Sequence, residues 1–112
     1  MPSGDSVQPI DLPALILGCG GDRGLAMEVL RVFLQQVPAQ RADLERAVTA
    51  NDLPLQKRAA HKLKGSLAAI YAANAVAEAE RLERAASIQP AATLFHLLTT
   101  VIETAEALVV NG

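Results

Sequence analysis

Apolar residues recur three or four positions apart through stretch after stretch of this chain, and no stretch alternates apolar with polar residues as a half-buried strand would. A repeat near 3.6 residues is the signature of a helix with one buried face, so the chain is restricted to helices packed on helices. Composition agrees. Alanine (21 residues) and leucine (16) supply most of the apolar half of the chain, and only 3% of residues are aromatic. Both are strong helix formers, whereas a sheet draws on β-branched and aromatic residues. A chain of 112 residues can bury the core of one domain without disulfide or metal staples.

The spacing predicts four substantial amphipathic helices and smaller N-terminal helical pieces. Residues 1–9 are rich in Pro, Ser and Gly and read as a flexible tail, leaving residues 10–112 as one helical domain. "DLPALIL" fits a short helix capped by Asp11, broken by "GCGGD". Asp22 fits the N-cap of a helix over about 23–37, with Ala26, Val29, Leu30, Phe33 and Val37 on its apolar face. Pro38 either opens a separate helix over about 38–50 or marks a kink in one long helix. "ND" at 51–52 supplies a stop and a cap, and the next helix runs over about 53–72. Asn74 is expected to cap a helix reaching about 87, with Ala75, Ala79, Leu82 and Ala86 inside. Pro90 opens the last, over about 91–110. Short connections suggest an all-α, up-and-down antiparallel four-helix bundle with an additional short N-terminal helix.

Several function classes recede on charge and composition. A net charge of −2 and a pI near 5.6 give no electrostatic footprint for nucleic acid. No run approaches the roughly 20 apolar residues of a membrane span, so no membrane association is expected. The first residues show no basic stretch followed by an apolar run, hence no signal peptide. The single Cys19 forms no internal disulfide and suits a reducing, cytoplasmic setting.

One histidine stands apart. On a helical wheel of residues 53–72, Leu63, Leu67, Ile70, Ala59 and Ala60 gather on one side with Gln56 at the edge. His61 falls about 160° from Leu63. It therefore points outward, together with Pro54, Gly65, Ala68 and Ala72. One turn either way lie Lys57, Arg58, Lys64 and Gly65: three cations and a residue with no side chain. A cationic surround suits a group that becomes negatively charged, and neutral imidazole is a nucleophile. A solvated helix histidine on a basic face is the plainer alternative. His96 also projects outward, but Ala92, Thr93, Thr99 and Thr100 surround it, and it has neither cations nor glycine nearby.

The stretch "AAHKLKGSLAAIYAANAVAEAERLE" resembles the core motif of histidine-containing phosphotransfer (Hpt) domains, Ala-His-x-Leu-Lys-Gly-Ser followed downstream by Leu-Glu. Ala60, His61, Leu63, Lys64, Gly65 and Ser66 match it, as do Leu82 and Glu83. "GGD", "FLQQVP" and an alanine before "ND" also resemble the family, so the likeness runs over about 10–110. Two positions depart from it: Tyr71-Ala72 stands where many members have Gly-Ala, and Leu67 where a second Ser is found.

The resemblance implies a helical bundle presenting His61, which takes a phosphoryl group from the aspartyl phosphate of a response-regulator receiver domain and passes it on. Such a domain has no kinase activity of its own. Its implied partners are a receiver domain and a hybrid sensor histidine kinase. Lys64 is placed to contact phosphoryl oxygens, and Gly65 leaves room for a partner's loops. Lys57, Arg58, Ala68 and Ala72 form the expected partner surface. No metal or cofactor is expected on this chain, since no acidic cluster lies near His61; the Mg²⁺ belongs to the receiver's carboxylates. If the helices holding His61 and Glu83 are antiparallel, Glu83 lies near the ring. It then either orients the unphosphorylated nitrogen or is simply an exposed glutamate among the Glu80/Arg84 pairs. Two other readings remain: a helical module that binds a receiver or kinase without carrying phosphate, and an enzyme using His61 as general base, for which a convex helix face offers no pocket. Ser66 is an alternative phosphorylation site or a helix serine at the core edge. The initial Met and short tails are read as those of a separate small protein.

Overall fold

The computed structural model describes residues 8–111, so residues 1–7 of the expected tail lie outside the described residues. The described residues are all-helical, with five helices and no strand. They are α1 (Leu12–Gly18), α2 (Arg23–Thr49), α3 (Leu53–Ala69), α4 (Ala73–Glu83) and α5 (Ala92–Asn111). α3 packs against α2 and α4, and α5 against the same two, so four helices enclose one core; α1 lies on α2. Leu30, Phe33 and Leu44 from α2, Leu63 and Leu67 from α3, Leu82 from α4, and Leu94 and Leu98 from α5 are buried there. Ala59, Ala60, Ala75 and Ala79 are buried along α3 and α4, where small side chains let the two backbones approach.

The helix starts obey local chemistry. Asp11, Asp22 and Asp52 each accept a hydrogen bond from the backbone N–H three residues on, at 3.1, 2.9 and 3.0 Å. Each satisfies a donor that the first helical turn leaves unpaired.

Of the two possibilities for Pro38, the structure shows one long helix with the proline inside it. Proline removes an intrahelical hydrogen bond at about 3 kcal/mol or more. Phe33 and Val37 before it, and Leu44 and Ala47 after it, are all buried, so burial on both sides holds the helix through the proline.

Three helices close in the same way. After α1, α2 and α3 a residue with positive φ reverses the chain: Gly20 (71°), Asn51 (54°) and Tyr71 (60°). At each, the next N–H reaches back five residues: Gly21 to Ile16 O (2.9 Å), Asp52 to Ala47 O (2.9 Å) and Ala72 to Leu67 O (3.0 Å). This is the Schellman closure, in which glycine is the usual occupant and asparagine the next. Tyrosine in left-handed backbone costs roughly 1–2 kcal/mol. Tyr71 offsets this through contacts: its carbonyl accepts the Asp11 N–H at 3.1 Å, and its ring leans on Gly18. A Cβ on Gly18 would lie 2.5 Å from the Tyr71 hydroxyl. The departure at Tyr71 is thus matched to Gly18 and ties α1 to the α3–α4 turn.

This turn corrects three expectations. α3 ends at Ala69, so a wheel carried to residue 72 misplaces Ala72; it is fully buried and is not partner surface. α4 starts at once, with Ala72 at the N-cap and no side-chain cap, and Asn74 lies inside its first turn. α4 also stops at Glu83 instead of near 87, which leaves Ala86 exposed.

α5 needs a further correction. Among the described residues it is the one helix long and apolar enough, by length and composition, to cross a membrane. Its many Leu, Val and Ile residues and few charges make it so, but Leu94, Leu98, Val101 and Ala105 face the bundle core.

Candidate functional site

α3 carries two opposed faces. Leu63 and Leu67 are fully buried, and His61, Gly65 and Ala68 are exposed. The His61 side chain keeps 67% of its surface open to solvent.

The short link between α3 and α4 folds α4 back along α3, so their numbering runs in opposite directions. Glu83, the last residue of α4, therefore meets the turn that holds His61. Its Oε2 lies 2.7 Å from His61 Nδ1, and its Oε1 lies 2.6 Å from Lys64 Nζ. One carboxylate bridges the histidine and the lysine of the next turn. The Lys64 ammonium, and then the His61 ring, hold the Glu83 carboxyl below the usual carboxylate range. Glu83 is therefore ionised at neutral pH, and on acidification the bridge is lost as the pH falls through this depressed value.

An ionised Glu83 only accepts hydrogen bonds, so with neutral imidazole the Nδ1 must carry the proton and donate. The lone pair is then on Nε2, on the far side of an exposed ring. The geometry thus directs that lone pair away from α4, toward solvent. Arg58 and Lys62 are exposed around it. Lys57, expected on the partner surface, turns its Nζ to the Ala85 carbonyl at 3.2 Å. An open depression lined by Lys57, Arg58, His61, Lys62 and Glu83 contains the ring and does not enclose it.

Gly65 is exposed, and a Cβ built there would meet no atom within 4 Å. The protein's own packing does not require the glycine. Gly65→Ala is therefore expected to stabilise the free protein by up to about 1 kcal/mol, read as a higher urea midpoint. If the open face serves a docking macromolecule, the same variant slows the reaction with that partner.

The wheel misses two features. Gln56, at the edge of the core on the wheel, is fully buried, its Oε1 accepting the Gln89 N–H at 3.4 Å while Nε2 has no partner. The second is an apolar groove of about 280 Å³ between α2 and α3, lined by Leu25, Val29, Val32, Phe33, Ser66 and Ile70. Leu25, Val29 and Val32 recur at helical spacing, which is a signal for such a stripe. Ser66, half-buried, sits on this groove beside Gly65. His96 is exposed on α5, with no charged partner among the described residues.

A family model of the Hpt domain matches residues 28–108. That span runs from the second turn of α2 to the last turn of α5 and includes His61, Lys64, Gly65 and Glu83. Comparison with curated proteins and with solved structures returned no match.

Proposed function

The chain belongs to the Hpt domain family, whose members serve phosphotransfer in two-component signalling, and from this we propose that it is a phosphorelay carrier with His61 as the phosphorylated residue. Nε2 attacks the phosphorus of a receiver's aspartyl phosphate. The new N–P bond forms as the P–O bond to aspartate breaks, and the aspartate leaves as a carboxylate. The ring becomes cationic as its lone pair is spent, and Glu83, already hydrogen-bonded at Nδ1, offsets that charge without a proton having to leave. The reverse sequence delivers the group to a second receiver.

The single observation that carries this reading is the Glu83 bridge, 2.7 Å from Nδ1 and 2.6 Å from Lys64. Phosphoryl transfer depends on positioning and charge neutralisation more than on covalent machinery. Lys64 neutralises Glu83 in the free protein and is one turn from His61, within reach of phosphoryl oxygens after transfer. Gly65 and Ala68 keep the approach low, and the apolar groove beside Gly65 offers a receiver surface to dock on. Arg58 and Lys62 suit the acidic site of such a partner, which holds the Mg²⁺. In this reading α2–α5 form an up-and-down antiparallel bundle, a hybrid sensor kinase stands upstream, and the setting is the cytoplasm. The chain carries the group and has no kinase activity.

The experiment is transfer from a receiver domain phosphorylated with labelled acetyl phosphate. A carrier acquires acid-labile, base-stable label. Binding to the receiver without acquisition of label would identify a non-transferring interaction module instead.

A further inference from the structure

α4 is short and has no side-chain cap at its start, and its final residue, Glu83, which Lys64 grips from α3, is the one that meets the histidine ring. It has 11 residues, and no side chain caps its N-terminus. A helix of that length is marginal alone, and its terminal turns fray. Glu83 occupies that turn. The chain just beyond it is held from α3. Lys57 Nζ donates to the Ala85 carbonyl at 3.2 Å, and the buried Gln56 accepts the Gln89 N–H at 3.4 Å. Arg84, the nearest cation to the end of α4, pairs outward with Glu80 at 2.9 Å. Ala85 lies two residues past the last residue of α4, so the Lys57 ammonium holds the chain as it leaves the helix and stands near the negative end of the helix dipole.

The connections form a closed frame. Lys57 and His61 are one turn apart on α3. Ala85 and Glu83 are two residues apart at the end of α4. Two polar cross-links, Lys57 to Ala85 and His61 to Glu83, join the two sides. We propose that Lys57 is a positioning residue: by holding the Ala85 carbonyl, two residues past the end of α4, it helps fix Glu83 against His61 Nδ1 and so keeps Nε2 as the nucleophilic nitrogen. This places Lys57 in the frame behind the histidine and not among the groups that touch the phosphoryl. The proposal rests on the phosphocarrier reading for its consequence, but the tether itself can be measured without transfer.

The test uses the full chain with ring-¹⁵N-labelled histidine, compared as wild type, Lys57→Met, Lys57→Gln and Lys57→Arg. Methionine keeps the stem without a donor, glutamine falls short of the carbonyl, and arginine restores a reaching cation. At mildly alkaline pH the wild-type His61 ring should show the Nδ1-protonated tautomer. In Lys57→Met and Lys57→Gln the ring shifts move toward a mixture of both tautomers, and in Lys57→Arg they return. Phosphorylation by phosphoramidate, in which the N–P bond to His61 forms as ammonia leaves, should slow about fivefold in the first two, the scale of one charge-assisted hydrogen bond at a half-exposed site. In a Glu83→Ala background the Lys57 substitutions should add nothing, because their effect runs through Glu83.

Unchanged ring shifts in both Lys57→Met and Lys57→Gln would overturn the proposal. So would a further fivefold loss in the Glu83→Ala background, which would make Lys57 a direct phosphoryl contact. If wild type takes no phosphoryl group from either phosphoramidate or a receiver, the carrier reading fails, while the ring shifts still decide the tether.

Discussion

His61→Gln is expected to abolish acid-labile label while leaving the fold and receiver binding in place. The loss should be complete, since no other histidine or hydroxyl among the described residues shares the site: His96 is on α5, and Ser66 is turned toward the apolar groove. The fold should tolerate the change because the His61 side chain is 67% exposed and contributes nothing to the core. Its polar contact, to Glu83, is a surface pair of a kind worth about 0–1 kcal/mol. Phosphotransfer from a labelled receiver, with acid and alkali treatment of the product, checks the outcome. Acid-stable label surviving in His61→Gln would shift attention to Ser66.

Leu63→Ala should do the converse. Leu63 is two residues from His61 but faces the opposite way and is fully buried. Truncating such a leucine costs about 2–5 kcal/mol through lost burial and a residual cavity. Small domains have only roughly 5–15 kcal/mol in total, so the urea midpoint should fall sharply. The folded fraction should still accept label, because the outer face of α3 is untouched. A cost below about 1 kcal/mol would mean that Leu63 is not a core residue and that α3 is rotated from the orientation described. The two variants together separate the functional face of one helix from its structural face.

The histidine's outward direction is legible on the wheel because α3 is regular from Leu53 to Ala69 and its buried face is made mostly of Ala and Leu. The caps at Asp11, Asp22 and Asp52 are legible for a similar reason, since each acts within three residues of itself. The illegible features depend on distant partners. Ala72 is buried because Tyr71 adopts left-handed backbone, and Tyr71 is held there by α1. The end of α4 at Glu83 coincides with contacts from Gln56 and Lys57, 33 and 28 residues from the groups they hold. The continuity of α2 through Pro38 depends on residues of the other helices that bury both of its halves. Lys57 shows the distinction most clearly. Its spacing marks it as a neighbour of His61, yet its ammonium is committed to a carbonyl whose position only the folded bundle defines.

The relation between His61 and Glu83 has a direct readout in the phosphorylated protein. Two-dimensional ³¹P–¹⁵N correlation on ring-labelled protein shows which nitrogen bears the phosphorus. With Glu83 holding Nδ1, the coupling should appear at His61 Nε2 alone, and Nδ1 should remain protonated. Phosphorus on Nδ1, or on any residue other than His61, would contradict the account.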